Sequence, residues 1–336
     1  MAESSMREPA PSLWLRMGSE TWTAIAVFGI TVVLILGSRV ISPAFGGWDQ
    51  ARAILVLSSF VMVTGFGQGL VILLGGLDLS VASVMTFGGV LAFSWIGASG
   101  PALTWGIPVI LLLTALIGAV NGVGVTALRV PPFIMTLATG IIVYSACLGF
   151  TQGTPRGQAS PLLSALYTHR VLGVPLIIFF MALATIAGQL LQSSTPFGRK
   201  LYAIGTSDTA AYIAGIGVRR LTIATYAIAG ACSGLAGIMM VGYAGGATLT
   251  MGQPYLLPSI AAVVVGGTSI LGGRGTYLGT VGGAILLTTI STIIGALEMA
   301  EGWRTVVYGA VILLALLLMR ERLMAALERS LPRKGR

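Results

Sequence analysis

Long apolar runs, each bounded by a few polar residues, follow one another along almost the whole chain. An α-helix needs about 20 mostly apolar residues to cross the hydrocarbon core of a bilayer. By that measure the predicted spans are Trp22–Val40, Ala53–Leu74, Val81–Ala98, Thr104–Leu128, Phe133–Phe150, Val171–Leu191, Leu221–Ala244, Tyr255–Leu271, Thr276–Leu297 and Trp303–Met319. Glycine interrupts Gly75–Ser83 and Tyr255–Gly275, leaving both open to a re-entrant or discontinuous path. The fold expected is an all-α polytopic membrane protein of about ten transmembrane helices. Ten spans divide into two sets of five, and an odd number per set gives the halves opposite orientations, the geometry of an inverted repeat.

The domain boundaries follow from the same pattern. Residues 1–21 form a polar N-terminal segment, 22–319 one membrane domain, and 320–336 a basic tail. The first apolar run is long, its leader is acidic as well as basic, and no small-residue cleavage site follows it. It is read as an uncleaved helix rather than a signal peptide.

Composition strengthens the membrane reading. The chain of 336 residues is 55% hydrophobic and 9% charged, against about 25% charged in soluble domains. Its 47 glycines suit a bilayer, where small residues let helix backbones approach closely. Gly65/Gly69, Gly118/Gly122 and Gly279/Gly283 have the spacing of packing seams.

Charge sets orientation. With the N-terminus inside, the inner face receives Arg7, Arg16, Arg129, Arg199, Lys200, Arg219, Arg220, Arg274 and the tail from Arg320. The outer face receives only Arg39, Arg52, Arg156, Arg170 and Arg304. The positive-inside bias therefore places both termini in the cytoplasm. The formal charge of +9 is spent on this asymmetry, so no nucleic-acid partner is expected.

Reaction chemistry is sparse. Cys147, Cys232 and His169 are scattered and do not have the spacing of a zinc site. Gly266, Gly267, Gly272, Gly273 and Gly275 surround Thr268, Ser269 and Arg274, but the Gly-Lys-Ser/Thr ending of a phosphate-binding loop is absent from the chain. That segment is read as a flexible reversal between helices. Asp78 stands in apolar surroundings, where a charge must pair, cap or face water. Asp78 and Ser80 directly precede an apolar run, so helix capping competes with a role in gating or cargo passage. Asn121 lies inside an apolar span, as interhelical glue or as a lining residue of a pathway. Pro131 and Pro132 suit a helix start.

The longest polar stretch between spans is 193–220. Arg199 and Lys200 open it, and Arg219 and Arg220 close it. A short amphipathic helix is predicted between Gly205 and Gly217, with Thr206, Ser207 and Asp208 as candidate caps. It either rests on lipid headgroups or meets a partner. Ala210, Ala211, Ala214 and Gly215 would permit close docking.

Five stretches resemble one family, in its order. They are GGLDLSVASVMTFGGV (Gly75–Val90), NGVGVTALRVPPFIMTL (Asn121–Leu137), GRKLYAIGTSDTAAYIAGIGVRRL (Gly198–Leu221), PYLLPSIAAVVVGGTSILGGRGTYLGTVGGAIL (Pro254–Leu286) and Trp303-Arg304 with the apolar run after it. Together they resemble the permease subunits of ribose/xylose-type bacterial ABC importers. Ala82, Ser207 and Tyr212 depart from that family's usual Gly, Asn and Arg. The resemblance implies a dimeric permease, of identical or paralogous copies, that moves a monosaccharide across the inner membrane by alternating access. It implies three partners besides lipid: an ABC ATPase subunit that hydrolyses ATP with Mg, a second permease copy, and a periplasmic sugar-binding protein. It also implies that 193–220 couples to the ATPase, through Gly205, Ser207, Asp208, Ala210, Ala211 and Gly215. No cofactor and no enzyme activity are expected of this chain. A secondary transporter of a small polar solute is the competing reading, but such proteins bury ionisable groups for coupling, and Asp78 is the only clear acid in the spans.

Overall fold

The computed structural model describes residues 19–40, 45–97, 100–300, 302–310 and 312–314. Most of the predicted N-terminal segment 1–21, the end of the last span and the whole tail 320–336 lie outside the described residues.

The chain is built from helices. The N-terminal half contains α1 (Ser19–Gly37), α2 (Trp48–Leu73), α3 (Val81–Leu91), α4 (Gly100–Ala127), α5 (Pro132–Thr151) and α6 (Pro161–Thr168). A two-strand hairpin, β1 (Arg170–Val171) and β2 (Val174–Pro175), leads into α7 (Leu176–Ser194). Then come α8 (Pro196–Thr206), α9 (Asp208–Ile213), α10 (Val218–Ala244), α11 (Leu256–Val265) and α12 (Tyr277–Ala296). The helical residues 302–310 and 312–314 are called α13. Among the described residues, seven helices, α1, α2, α4, α5, α7, α10 and α12, are long and apolar enough to cross a membrane. Two of the predicted spans are short apolar helices instead, 81–96 and 253–265, and the predicted span Trp303–Met319 is helical over its described residues but continues outside them.

The differences from the predicted spans have local causes. The span drawn from Tyr255 to Leu271 is helical only to Val265, after a 3-10 turn at Gln253–Tyr255. Beyond it Gly267, Gly272, Gly273 and Gly275 all have positive φ, which glycine adopts without steric cost. The span drawn from Val171 begins at Leu176, because Leu172 (φ 50°) and Gly173 (φ 79°) form a hairpin turn. Positive φ at both central residues matches the right-handed twist of paired strands. The guanidinium of Arg52 holds that turn by donating to the Gly173 carbonyl at 2.5 Å. The span drawn from Val81 to Ala98 stays α-helical to Leu91 and widens to a π turn over Ala92–Ile96.

Burial shows which helices are central. Phe60, Val71, Leu73, Met85, Ala236 and Val241 are fully enclosed, placing α2, α3 and α10 inside. By contrast α4, α5 and α7 turn large side chains outward, including Leu112, Ile142 and Leu183. On a helix that spans hydrocarbon such a face is lipid-facing surface. The backbones of the inner helices touch almost directly. A Cβ on Gly118 would collide with the Tyr226 carbonyl, and one on Gly230 with the Thr114 carbonyl, so α4 and α10 meet through glycine. A Cβ on Gly237 would collide with the Met85 carbonyl, which joins α10 to α3 in the same way. Gly122 faces the Ile223 backbone, Gly279 the Gly266 carbonyl and Gly283 the Ala262 carbonyl in the same way, whereas Gly65 and Gly69 of the third predicted seam meet the side chains of Thr280 and Val263.

Candidate coupling segment and buried polar core

Two places stand out. The first is the break between α2 and α3, where Asp78, Ser80 and Asn121 come together. All three are buried, with exposures of 1%, 1% and 0%. Asp78 Oδ1 accepts from the Ser80 amide at 2.8 Å and from the Ser80 hydroxyl at 2.6 Å. The Asn121 amide, arriving from α4, donates to Ser80 Oγ at 3.0 Å. Ser80 is the residue before α3, yet its side chain makes no capping bond. Asp78 closes an Asx-type turn onto the Ser80 backbone instead. The capping expectation is thus replaced by a turn that spends the buried carboxylate on Ser80. Asn121 bridges helices, as expected of a polar group in a membrane interior.

Thr136, which sequence reasoning did not single out, completes the clamp from α5. Its Oγ1 accepts from the Leu79 amide at 3.0 Å. A Cβ on Gly76 would lie 2.6 Å from the Tyr226 hydroxyl of α10. The break is therefore gripped by α4, α5 and α10. A threonine in an apolar run gives no signal of its own, because most such hydroxyls bond back to their own helix.

The second place is the polar segment after α7. Sequence reasoning expected one helix between Gly205 and Gly217. α9 (Asp208–Ile213) is that helix, and α8 (Pro196–Thr206) ends just before it, with the extended Ser207 (φ −163°, ψ 111°) separating the two. Thr195 caps α8 by accepting from the Gly198 amide at 3.2 Å. Among the three candidate caps, Ser207 caps α9, accepting from the Ala210 amide at 3.2 Å. Asp208 instead bonds to the Thr209 amide at 2.6 Å within the first turn.

Of the residues named for coupling, Ser207, Asp208, Ala210 and Gly215 are exposed. Ala211 is not. It is 3% exposed, buried against its own chain, so it offers no docking surface. Gly205 faces inward as well: a Cβ there would collide with the Leu73 carbonyl and lie 2.5 Å from the Gly273 amide. The outward surface of α9 is made by Tyr212 and Ile213, 74% and 79% exposed.

α8 is fastened to the helix ends beneath it. Gly273 donates to the Leu73 carbonyl at 2.9 Å. The Tyr202 hydroxyl donates to the Gly275 carbonyl at 2.6 Å, and the Gln192 side chain donates to Tyr202 and to Gly275 at 3.1 and 3.3 Å. The glycine-rich reversal read from sequence is thus a hydrogen-bonded turn beneath the segment, with Ser269 donating to the Arg274 carbonyl at 2.9 Å. Tyr202 and Gln192 were not singled out from sequence, since a tyrosine in an amphipathic run looks like any interfacial aromatic.

Apolar helices long enough to span a bilayer, with a polar break buried among them, define a multi-pass helical membrane protein. A family model described as the permease component of the branched-chain amino acid transport system matches residues 50–316. The chain belongs to that family of transport permeases. Among its relatives, the ribose import permease protein of Haemophilus influenzae is 33% identical over 85% of this chain and 90% of its own. The ribose import permease protein of Bacillus subtilis is 36% identical over 88% of this chain and 91% of its own. The D-allose transport system permease protein of Escherichia coli is 29% identical over 89% and 92%. No solved structure matches the chain.

Proposed function

We propose that this chain is the membrane permease subunit of an ABC importer for a monosaccharide, placed in the inner membrane with both termini in the cytoplasm. The observation that carries the reading is the likeness, over 85% to 89% of this chain, to permeases named for ribose and D-allose import. The segment 193–220 supports it, because an exposed apolar tip on a well-fastened base suits a partner that pushes. Tyr212 and Ile213 form the tip, and Tyr202, Gly205 and the Gly272–Gly275 turn form the base.

In this reading a partner ATPase binds and hydrolyses ATP with Mg, since this chain has no phosphate-binding loop of its own. Two permease copies, identical or paralogous, alternate between outward- and inward-facing states, and a periplasmic binding protein delivers the sugar. The seven long helices and three short apolar ones make ten crossings in two inverted sets of five. Asp78, Ser80 and Asn121 serve the break between α2 and α3 that moves with the coupling segment, since α2 ends at Leu73 under Gly205.

The test is uptake of radiolabelled D-ribose, D-allose and D-galactose in cells expressing this chain with its neighbouring ATPase and binding protein. Deletion of the permease gene should abolish uptake of at least one sugar. Unchanged uptake of all three would end the monosaccharide reading.

A further inference from the structure

A cavity of about 330 Å³ opens between α2, the 3-10 turn before α11, α12 and α13. Small-molecule sites begin at about 300 Å³ and combine apolar walls with a few convergent polar groups. Here the apolar wall includes Tyr255 and Tyr308, and the polar groups include Gln253, Ser291, Thr292 and Arg304.

One feature is costly unless something occupies the space, and another favours an occupant. The Nε of Arg304 is buried without a hydrogen-bond partner. A guanidinium is always charged and carries five N–H donors in a fixed fork, so a buried donor left idle is expensive. Gly295 makes room for it, because a Cβ there would lie 2.6 Å from an Arg304 terminal nitrogen. Tyr255 is meanwhile held from behind. Its ring meets Phe60 edge-on at 5.8 Å, and Phe60 packs in turn on Tyr167 at 6.1 Å and Tyr243 at 5.6 Å. An aromatic wall fixed by three further rings is preorganised and costs little to order on binding.

We propose that this cavity is a holding site for one neutral aldose on its way through the permease, with Arg304 donating to ring hydroxyls and Tyr255 and Tyr308 flanking the ring. This rests on the monosaccharide reading above. Neutral polyols suit the lining, which offers hydroxyl and amide groups around a single cation. The charge pattern of the spans puts Arg304 towards the outer face, where a delivered sugar arrives.

The experiment uses the assembled importer in right-side-out membranes. Cys147 and Cys232 are replaced by Ala, and Ser291→Cys supplies one thiol in the cavity. The rate of labelling by a small water-soluble thiosulfonate is measured with and without D-ribose, D-allose, D-galactose or D-galacturonate. The neutral sugar that the importer takes up should slow labelling severalfold. Adding Arg304→Gln should abolish that protection, read as the ratio of the rates with and without sugar in the same variant. Uptake of a neutral sugar without protection by it overturns the site but leaves the monosaccharide reading intact. Protection only by the sugar acid overturns the neutral-ligand assignment. A thiol that labels only after lipid is stripped away marks a lipid site and also overturns the proposal. Absence of uptake of every neutral sugar ends the parent reading, and this inference with it.

Discussion

The backbone of Gly205 lies against the carbonyl of Leu73, so close that a methyl group on Gly205 would occupy the place of that oxygen. Gly205 is therefore an internal joint. It lets α8 sit directly on the end of α2, where the Gly273 amide also bonds.

The first prediction follows from that joint. Gly205→Val should lower the thermal stability of the purified permease and abolish uptake, since overpacking a fitted contact costs about 1–3 kcal/mol. Gly215→Ala is the control, because no atom lies within 4 Å of its missing Cβ and only its φ of +79° opposes the change. Its effect should stay near about 1 kcal/mol. Equal melting temperatures for the two variants would contradict the joint.

Docking is tested on the exposed face of α9. Tyr212→Ser with Ile213→Asp should leave membrane abundance near normal, cut co-purification of the ATPase and abolish sugar uptake. Ala211→Arg should differ, reducing abundance as well, because Ala211 is buried in its own chain. Immunoblots of membranes beside pull-downs of the ATPase separate the two. Wild-type pull-down from the Tyr212/Ile213 variant would show that α9 only rests on lipid.

The polar break predicts coupled energetics. Ser80→Ala removes the hydroxyl that donates to Asp78 and accepts from Asn121. It should destabilise the permease by about 1–3 kcal/mol, the cost of leaving a buried polar group unpaired. Asn121→Ala in the Ser80→Ala background should add less than it does alone, because the two share one hydrogen bond. Thermal unfolding of the single and double variants in one detergent measures this, and strict additivity would contradict the network.

The purified chain should hydrolyse no ATP above the background of an empty preparation, since no Gly-Lys-Ser/Thr sequence occurs in it. Turnover that follows this polypeptide through successive purification steps would refute the assignment of ATP chemistry to a partner.

Much of the helical framework was legible because bilayer thickness fixes run length. The spans around Ala53–Leu74 and Leu221–Ala244 correspond to α2 and α10, extended by a few residues. Legibility failed where the backbone changes course inside apolar sequence. Nothing in Ala92–Ile96 announces a π turn, and Leu172 looks like part of a span until its positive φ makes it a hairpin corner. At the sites, Asp78, Ser80 and Asn121 were visible because polar groups in hydrocarbon need partners. Their mutual pairing was not, since Asn121 is forty-one residues from Ser80. Small residues misled in the coupling segment. Alanine and glycine fit a partner's groove and their own chain's interior equally well, and only the fold shows that Ala211 and Gly205 serve the interior.

The glycine contacts of Gly118, Gly230 and Gly237 limit what can move. Helices that meet through side chains can slide by exchanging rotamers, whereas helices that meet backbone to backbone have no rotamers to exchange. With α4 and α3 each abutting α10 in this way, the three turn as a single block. Any opening and closing of the protein must then be hinged at the edges of that block, and rotation within it is closed off.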